Sequence, residues 1–332
     1  SRNTPVHGSG RIMNAGLTNR ASRFPCTMNS NAGRTPRLAV LVLFLSSAAW
    51  GLTWLPIKAL GNMGLDGMHL VFIAFLSGAL LLSPWLYRQR RYWRQKITMM
   101  LLITFAGGFA NASFQSAIYH GDVLRVMILF YLLPVWSVIG GRVFLGEKMD
   151  AVRLLAVALS LSGAFIILDI ADSAWAGVSW IDLLAIGSGI GLAATNILFR
   201  FTQDIPVMSK VSAMFIGCTV LIGLSLMVFT SAAGFPNPNA VLLAVAYGAL
   251  WLTLITVGTQ WGVTQMEAGR SAIIIVMELV VAVVSTALIM SGELQYFEVI
   301  GGLMVLSAAL LEGSRNEVKG GINALLRPIH DR

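Results

Sequence analysis

The chain of 332 residues is 56% hydrophobic and only 11% charged, with a mean hydropathy of +0.76. Soluble domains carry roughly 25% charged residues, so this composition excludes a soluble globular protein and predicts a polytopic membrane protein. The 23 lysines and arginines outnumber the 15 acidic residues by eight. A membrane topology signal has to be tested before a nucleic-acid partner is inferred from that excess.

Residues 1–36 are rich in Ser, Asn, Gly and Arg, contain no acid and show no apolar periodicity. This composition predicts a disordered basic tail. We expect an upstream extension before a natural start at Met28, in preference to a transit peptide. Neither interpretation affects the segments that follow.

Apolar segments of about twenty residues then recur along the chain, each long enough for the ~30 Å hydrocarbon layer of a membrane. The predicted helices cover residues 38–58, 68–87, 97–118, 122–141, 152–170, 179–200, 209–230, 240–262, 269–290 and 297–313. The predicted fold class is therefore an all-α polytopic membrane protein with ten transmembrane helices.

The fourth and ninth predicted helices resemble each other. Residues 121–148 and 267–293 both open with an acid and an arginine three residues later, continue as an apolar run and end in Gly-Glu. The two Gly-Glu pairs lie 146 positions apart, which indicates an internal repeat. Because five helices per copy is an odd number, the second copy enters the membrane upside down, as in many secondary transporters. The predicted repeats cover residues 37–171 and 172–313, and a C-terminal tail covers 314–332.

The positions of the basic residues test this topology independently. With the N-terminus in the cytoplasm, 21 of the 23 lysines and arginines fall on the cytoplasmic side, and only Lys58 and Arg125 fall toward the outside. The positive-inside rule therefore predicts a multi-pass protein of the cell (inner) membrane with both termini cytoplasmic. We therefore interpret the basic loop 88–96 as a topology signal and an interfacial anchor. Because the basic residues are explained in this way, no nucleic-acid partner is predicted.

Two helices carry a resemblance to a known family. The fourth has Pro134 in its middle and Gly-Glu at 146–147, and the first contains AWGLTWLPIK at 49–58. Over residues 37–313 the chain resembles the ten-helix EamA-type branch of the drug/metabolite transporter superfamily, which includes amino-acid and metabolite exporters. The resemblance implies a central cavity between two halves, alternating access and export of small organic solutes. The second copy departs from the pattern, because Val280 replaces the proline, which puts a kink in the ninth helix in doubt.

Glu278 is the clearest candidate for a functional side chain. It lies near the middle of the ninth predicted helix, and ionisable groups inside a span are costly and usually functional. Ser271 and Ser285 lie seven residues before and after it, on the same helical stripe. The functional interpretation is a ligand for a substrate amine or a proton site. The alternative is a neutral glutamic acid that joins two helices by a hydrogen bond.

Further candidates are polar or aromatic residues within other predicted helices. Asn111 and Gln115 share a face of the third helix and either contact a polar substrate or bond to the fourth helix. Tyr131 lies beside Pro134, whose missing amide predicts either a hinge or a static kink. Trp54 is preferred to Trp50 as an aromatic wall. The predicted substrate-binding set is Glu278, Asn111, Gln115, Tyr131, Trp54, Trp251 and Ser271, with Pro134 as the hinge.

Two acid–arginine pairs are candidate gates. Asp122 and Arg125 begin the fourth helix, and Glu267 and Arg270 begin the ninth. In an inverted repeat these equivalent positions lie at opposite mouths of the cavity, so each pair is expected to help close its own mouth. The alternative is a simple capping role, since an acid at a helix start interacts favourably with the helix dipole and with an arginine one turn later.

These observations and the resemblance predict a secondary transporter that exports small organic metabolites such as amino acids or amphipathic solutes. A small organic solute and membrane lipid are the expected partners, and a proton is the candidate coupling ion. The sequence has no GxxxxGK[ST] loop for nucleotide binding, its histidines are scattered, and neither a metal site nor a cofactor is predicted. A multi-pass enzyme acting on lipid-linked substrates and a non-transporting membrane partner subunit are the alternatives.

Overall fold

The computed structural model describes residues 37–65, 67–121, 123–168, 178–229, 237–289 and 295–325, with side chains of the last helix described through Glu312. Every regular element among these residues is helical, as predicted. The α-helices are α1 (Arg37–Gly51), α2 (Trp54–Asn62), α3 (Gly67–Arg88), α4 (Arg90–Trp93), α5 (Ile97–His120), α6 (Val123–Phe130), α7 (Leu133–Leu145), α8 (Ala151–Ile167), α9 (Trp180–Phe201), α10 (Val207–Phe229), α11 (Pro238–Ala246), α12 (Thr253–Gln265), α13 (Ala268–Ile275), α14 (Met277–Ile289) and α15 (Tyr296–Leu325). The predicted tail 1–36 and Asp122 lie outside the described residues.

Eight helical segments of the described chain are long and apolar enough to cross a membrane, judged by length and composition. They are Arg37–Asn62, Gly67–Arg88, Arg90–His120, Arg125–Leu145, Trp180–Phe201, Val207–Val228, Pro238–Gln265 and Ala268–Ile289, and Ala151–Ile167 is a shorter apolar helix. The chain is therefore a multi-pass membrane protein.

Close helix packing depends on glycine. A Cβ built on Gly163 of α8 would lie 2.6 Å from the backbone oxygen of Gly301 in α15, and a Cβ on Gly301 would lie 2.5 Å from the oxygen of Gly163. A Cβ on Gly108 of α5 would lie 2.5 Å from the backbone of Gly217 in α10. Small residues let helix backbones approach closely where lipid provides no hydrophobic driving force for association.

Three membrane-spanning segments are interrupted near their middles. The first is broken at Leu52–Thr53, between α1 and α2, and the fourth at Tyr131–Leu132, between α6 and α7. Pro134 occupies the first turn of α7, where its missing N–H costs little. The ninth predicted helix is also interrupted, at Val276, although Val280 replaces the proline. The missing proline left a kink there in doubt, and the structure has one. It ends a run of four β-branched residues, 273–276, which have reduced helix propensity.

Candidate functional site

A cavity lies where these interrupted segments meet. Its empty volume is about 720 Å³, including the part that is open to solvent. Three of its lining residues, Trp50, Phe130 and Ile275, come just before the three interruptions. The complete lining is Trp50, Ala110, Asn111, Phe114, Gln115, Phe130, Leu192, Met214, Thr256, Thr259, Gln260, Ile275 and Glu278. Interrupted helices of this kind build the binding sites of many transporters.

Glu278 provides the carboxyl group of this cavity. It is partly buried and lies in the first turn of α14, directly after the interruption at Val276. The amino end of a helix favours a negative charge at that position. The hydroxyl of Tyr131, which is 2% exposed, donates a hydrogen bond of 3.1 Å to Glu278 Oε1. The pair therefore joins the two broken segments α6/α7 and α13/α14 beside the cavity.

Amide and hydroxyl groups line the cavity from two other helices. Asn111 and Gln115 come from α5, and Thr256, Thr259 and Gln260 come from α12. The Asn111 amide donates to the backbone oxygen of Gly107 at 2.8 Å, which leaves its side-chain oxygen as an acceptor. Together with Glu278, these groups can bind several donors of a polar solute while the aromatic residues contact its apolar part.

The remaining predicted substrate-binding residues lie away from the lining. The Trp54 indole donates to Ser285 Oγ at 3.0 Å, and Trp50 lines the cavity in its place. Ser271 is fully buried and donates to the backbone oxygen of Ala268 at 3.0 Å. Trp251 is 37% exposed and is not among the cavity residues.

The polar face of α12 was missed in the sequence for an identifiable reason. A regular α-helix places Trp251 and Gly258 on one face, but residues Tyr247–Leu252 form a π-helical turn. One extra residue in a turn rotates everything after it by about 100°. Thr256, Thr259 and Gln260 therefore reach the cavity, and their spacing of three and four residues was the available signal.

One candidate gate arginine has a partner from a distant part of the chain. Arg125 Nε lies 2.7 Å from Asp182 Oδ1, and Asp182 caps the first turn of α9. Asp182 is also hydrogen-bonded by the backbone N–H of Ser179 at 2.7 Å. The ion pair thus joins the starts of α6 and α9.

The other candidate gate belongs to a charged cluster with a buried centre, which we call the Arg153 cluster. It comprises Glu147, Arg153, Arg200, Glu267 and Glu312. Arg153 is 1% exposed and forms ion pairs with all three glutamates, and Arg200 Nε lies 3.4 Å from Glu147 Oε1. Glu147 also accepts a 2.8 Å hydrogen bond from the backbone of Ala268.

Arg270 lies near the Arg153 cluster, and burial affects the protonation of Glu147 within it. Arg270 lies in the same helix as Ala268 and is 5% exposed. Burial raises the pKa of Glu147, and this effect exceeds the lowering by the Ala268 hydrogen bond and by the charge of Arg200.

Within the described part of the chain, no group of three or more His, Cys, Asp and Glu residues is arranged to hold a metal ion.

Comparison with known proteins agrees with this architecture. Residues 37–169 match the model of the EamA-like transporter family. An uncharacterized transporter of Archaeoglobus fulgidus is 24% identical over 75% of this chain and 88% of its own length. A riboflavin transporter of Rhizobium johnstonii is 28% identical over 45% of this chain, which spans about half of that relative.

A solved crystal structure shows that the overall fold is shared with a known protein. It has a TM-score of 0.68 at 15% identity and covers 84% of this chain and 99% of its own. The chain carries an EamA-like transporter domain over residues 37–169, and its resemblance to the drug/metabolite transporter superfamily is confirmed.

Proposed function

We propose that this protein is a secondary transporter that exports small organic solutes, such as amino acids or amphipathic metabolites, by alternating access. The observation that carries the proposal is the cavity at the interrupted helices, with the Glu278 carboxyl group among aromatic and amide side chains. In this proposal the solute binds in the cavity, and the two halves of the protein expose it to each side of the membrane in turn.

Two matching contacts support an arrangement of ten helices in two inverted repeats. A Cβ on Gly189 of α9 would lie 3.0 Å from the backbone oxygen of Phe130, at the end of α6. Gly51 of α1 packs in the same way on the backbone oxygen of Glu278, at the start of α14. In the proposed repeat, α1 is equivalent to α9, and α6/α7 is equivalent to α13/α14. The two contacts are then equivalent to each other. The reciprocal approach of Gly163 and Gly301 is also expected where equivalent helices meet on a symmetry axis.

The lining supports an amphipathic solute. Trp50, Phe114 and Phe130 provide aromatic surface, and Asn111 and Gln115 provide amides. Glu278 then serves either as the ligand of a substrate amine or as the carrier of a coupling proton, with Tyr131 orienting its carboxyl group. Such sites bind most of a solute by apolar contact and fix its orientation with few polar groups.

The ion pairs support the proposed gates at the two mouths. Arg125 with Asp182 is the candidate closure at the starts of α6 and α9. Glu267 with Arg153 is the candidate closure at the start of α13. These are opposite ends of the cavity in an inverted repeat, and Pro134 is the candidate hinge between them. The distribution of basic residues supports an inner-membrane location with both termini in the cytoplasm.

A flavin-type solute is a second candidate substrate. The relative from Rhizobium johnstonii is named a riboflavin transporter. The aromatic residues Trp50, Phe114 and Phe130 line the cavity of this chain, where they can contact a planar ring system.

The proposal is tested by uptake of labelled amino acids and riboflavin into vesicles reconstituted with purified protein. We expect Glu278→Gln to lower the initial rate at least tenfold, because the amide neither carries a charge nor exchanges a proton. Glu298→Gln is the matched control, since Glu298 accepts a hydrogen bond from the Gln295 backbone at the start of α15, away from the cavity lining.

Normal rates and normal pH dependence in Glu278→Gln would contradict the role of this carboxyl group. Failure of every solute to enter vesicles that contain folded protein would contradict transport itself. That second result would favour a lipid-linked enzyme or a partner subunit.

A further inference from the structure

A corner of the cavity between α9 and α12 contains buried polar atoms with incomplete hydrogen bonding. Gln260 Nε2 donates to Asn196 Oδ1 at 3.4 Å. Counting only described residues, Asn196 Nδ2, Gln260 Oε1 and Thr256 Oγ1 have no hydrogen-bond partner. Buried polar atoms are normally paired, because each unsatisfied one retains its full cost of desolvation. Three such atoms therefore indicate a place for a polar group that does not belong to the chain.

This corner borders the cavity, and Asn196 itself lies just behind the lining residues. Thr256 and Gln260 line the cavity and lie one turn apart on α12. Asn196 lies one turn after Leu192, another lining residue, on the facing helix α9. Asn196, Thr256 and Gln260 are at most 3% exposed, so bulk water does not solvate them.

The two amides determine which chemical group fits. Their shared hydrogen bond leaves the Asn196 NH2 group without an acceptor and Gln260 Oε1 without a donor. A planar CO–NH group, as in a lactam or an imide, has the complementary pair. Its oxygen accepts from Asn196 Nδ2, and its N–H donates to Gln260 Oε1. A carboxylate offers only acceptors, and an ammonium group offers only donors.

We propose that the transported solute is a planar heterocycle whose CO–NH edge binds the Asn196–Gln260 pair. This inference rests on the proposed transport function and specifies its substrate class. The rings of Trp50, Phe114 and Phe130 contact the faces of the heterocycle, and Thr256 Oγ1 supplies a further hydrogen bond at its polar edge.

The test compares 2-quinolone with N-methyl-2-quinolone, which has the same ring and carbonyl but no N–H. Affinities are measured by calorimetry on purified full-length protein. We expect 2-quinolone to bind about tenfold more tightly, because the methylated ligand leaves Gln260 Oε1 unsatisfied. We expect the ratio to fall to about one in Asn196→Leu/Gln260→Met, in which both amides become apolar groups of similar size.

The matched control is Gln265→Met, at the exposed end of α12, which should keep the tenfold ratio. If the double variant does not fold, Gln260→Met alone removes the acceptor and should still lower the ratio. A ratio near one in the parent protein, or an unchanged ratio in a folded Gln260→Met, would overturn the inference.

The transport assay separates this inference from the proposed function. Transport of other solutes without lactam discrimination would reject only the substrate class. Lactam discrimination in a protein that moves no solute across vesicles would reject transport and retain the binding site.

Discussion

The segments α6/α7 and α13/α14 are both broken near their middles, but the two breaks have different physical reasons. In α6/α7, Pro134 stands in the first turn after the break. Arg125 at the start forms an ion pair with Asp182, and the Arg125 side chain is 25% exposed. In α13/α14 no proline is present, all eight residues of α13 are buried, and the start is fixed by the Arg153 cluster. The comparison indicates that a proline marks the first break, whereas tertiary packing maintains the second.

The two segments should differ most in the free energy of unfolding that is lost when the arginine of the ion pairs at the start of each segment, Arg153 or Arg125, is replaced. We expect Arg153→Met to lower the free energy of unfolding by about 3–5 kcal/mol, because three carboxyl groups then lose their buried cation. Arg125→Met should cost about 1 kcal/mol or less, since Asp182 keeps its bonds to Ser179. Denaturant unfolding in detergent measures both, and equal losses would contradict the contrast.

The next difference concerns the glycines that pack on each break. Gly51→Ala brings a methyl group into the backbone oxygen of Glu278, which cannot move freely, and should cost about 1–3 kcal/mol. Gly189→Ala meets the Phe130 oxygen at 3.0 Å and should cost about 1 kcal/mol. The melting temperatures of the two variants show which substitution destabilises the protein more. A larger loss for Gly189→Ala would show that the α6/α7 break is the more tightly packed.

A smaller effect is expected on the conformational balance. If the ion pairs are gates, Arg125→Ala should favour the outward-open state, and Glu267→Gln, which removes the charge paired with Arg153, should favour the inward-open state. Labelling rates of reporter cysteines in the two mouths should change in opposite directions by about two- to fivefold, because a lost ion pair shifts the equilibrium only by the difference in its contribution to the two states. Cys26 and the buried Cys218 are replaced first. Shifts in one direction, or none, would leave only a capping role.

The smallest expected effect is a pH dependence at the Arg153 cluster. Burial raises the pKa of Glu147 above its ordinary value of 4.5. The Glu147 carboxyl group therefore stays protonated to higher pH in the folded state than in the unfolded state. This contribution to stability is complete below pH 4.5 and is lost as the pH rises through the folded pKa. Melting temperatures between pH 4 and 8 should therefore fall less in Glu147→Gln than in the parent. Glu298→Gln provides the control, and parallel curves for Glu147→Gln and the parent would contradict the assignment.

Several features of the cavity could be found in the sequence because they are local. Apolar length predicts the helices, and a carboxyl group inside an apolar run is conspicuous, so Glu278 was identified. Asn111 and Gln115 follow from the helical period of one segment. Pro134 likewise marks the break in α6/α7, because a missing backbone donor is a property of the residue itself.

Other features depend on segments far apart in the chain, and only the tertiary structure decided them. Arg125 pairs with Asp182, 57 positions away, and Arg153 with Glu312, 159 positions away. Lys210, counted in the sequence as a charge of a cytoplasmic loop, is fully buried and donates to the backbone oxygens of Phe199 and Thr202 at the end of α9. Ion pairs and caps follow from where helices meet, which residue spacing does not encode.

The amino-acid sequence by itself determined the helical membrane class, the main apolar segments and the position of Glu278, since hydropathy and residue type are sufficient for these. The tertiary structure alone decided that α12 presents Thr256, Thr259 and Gln260 to the cavity, through the π-helical turn at Tyr247–Leu252. It alone brought Asn196 to Gln260. The physical reason is the same in each case: packing between helices sets the rotation and the ends of a helix, and these decide which side chains meet.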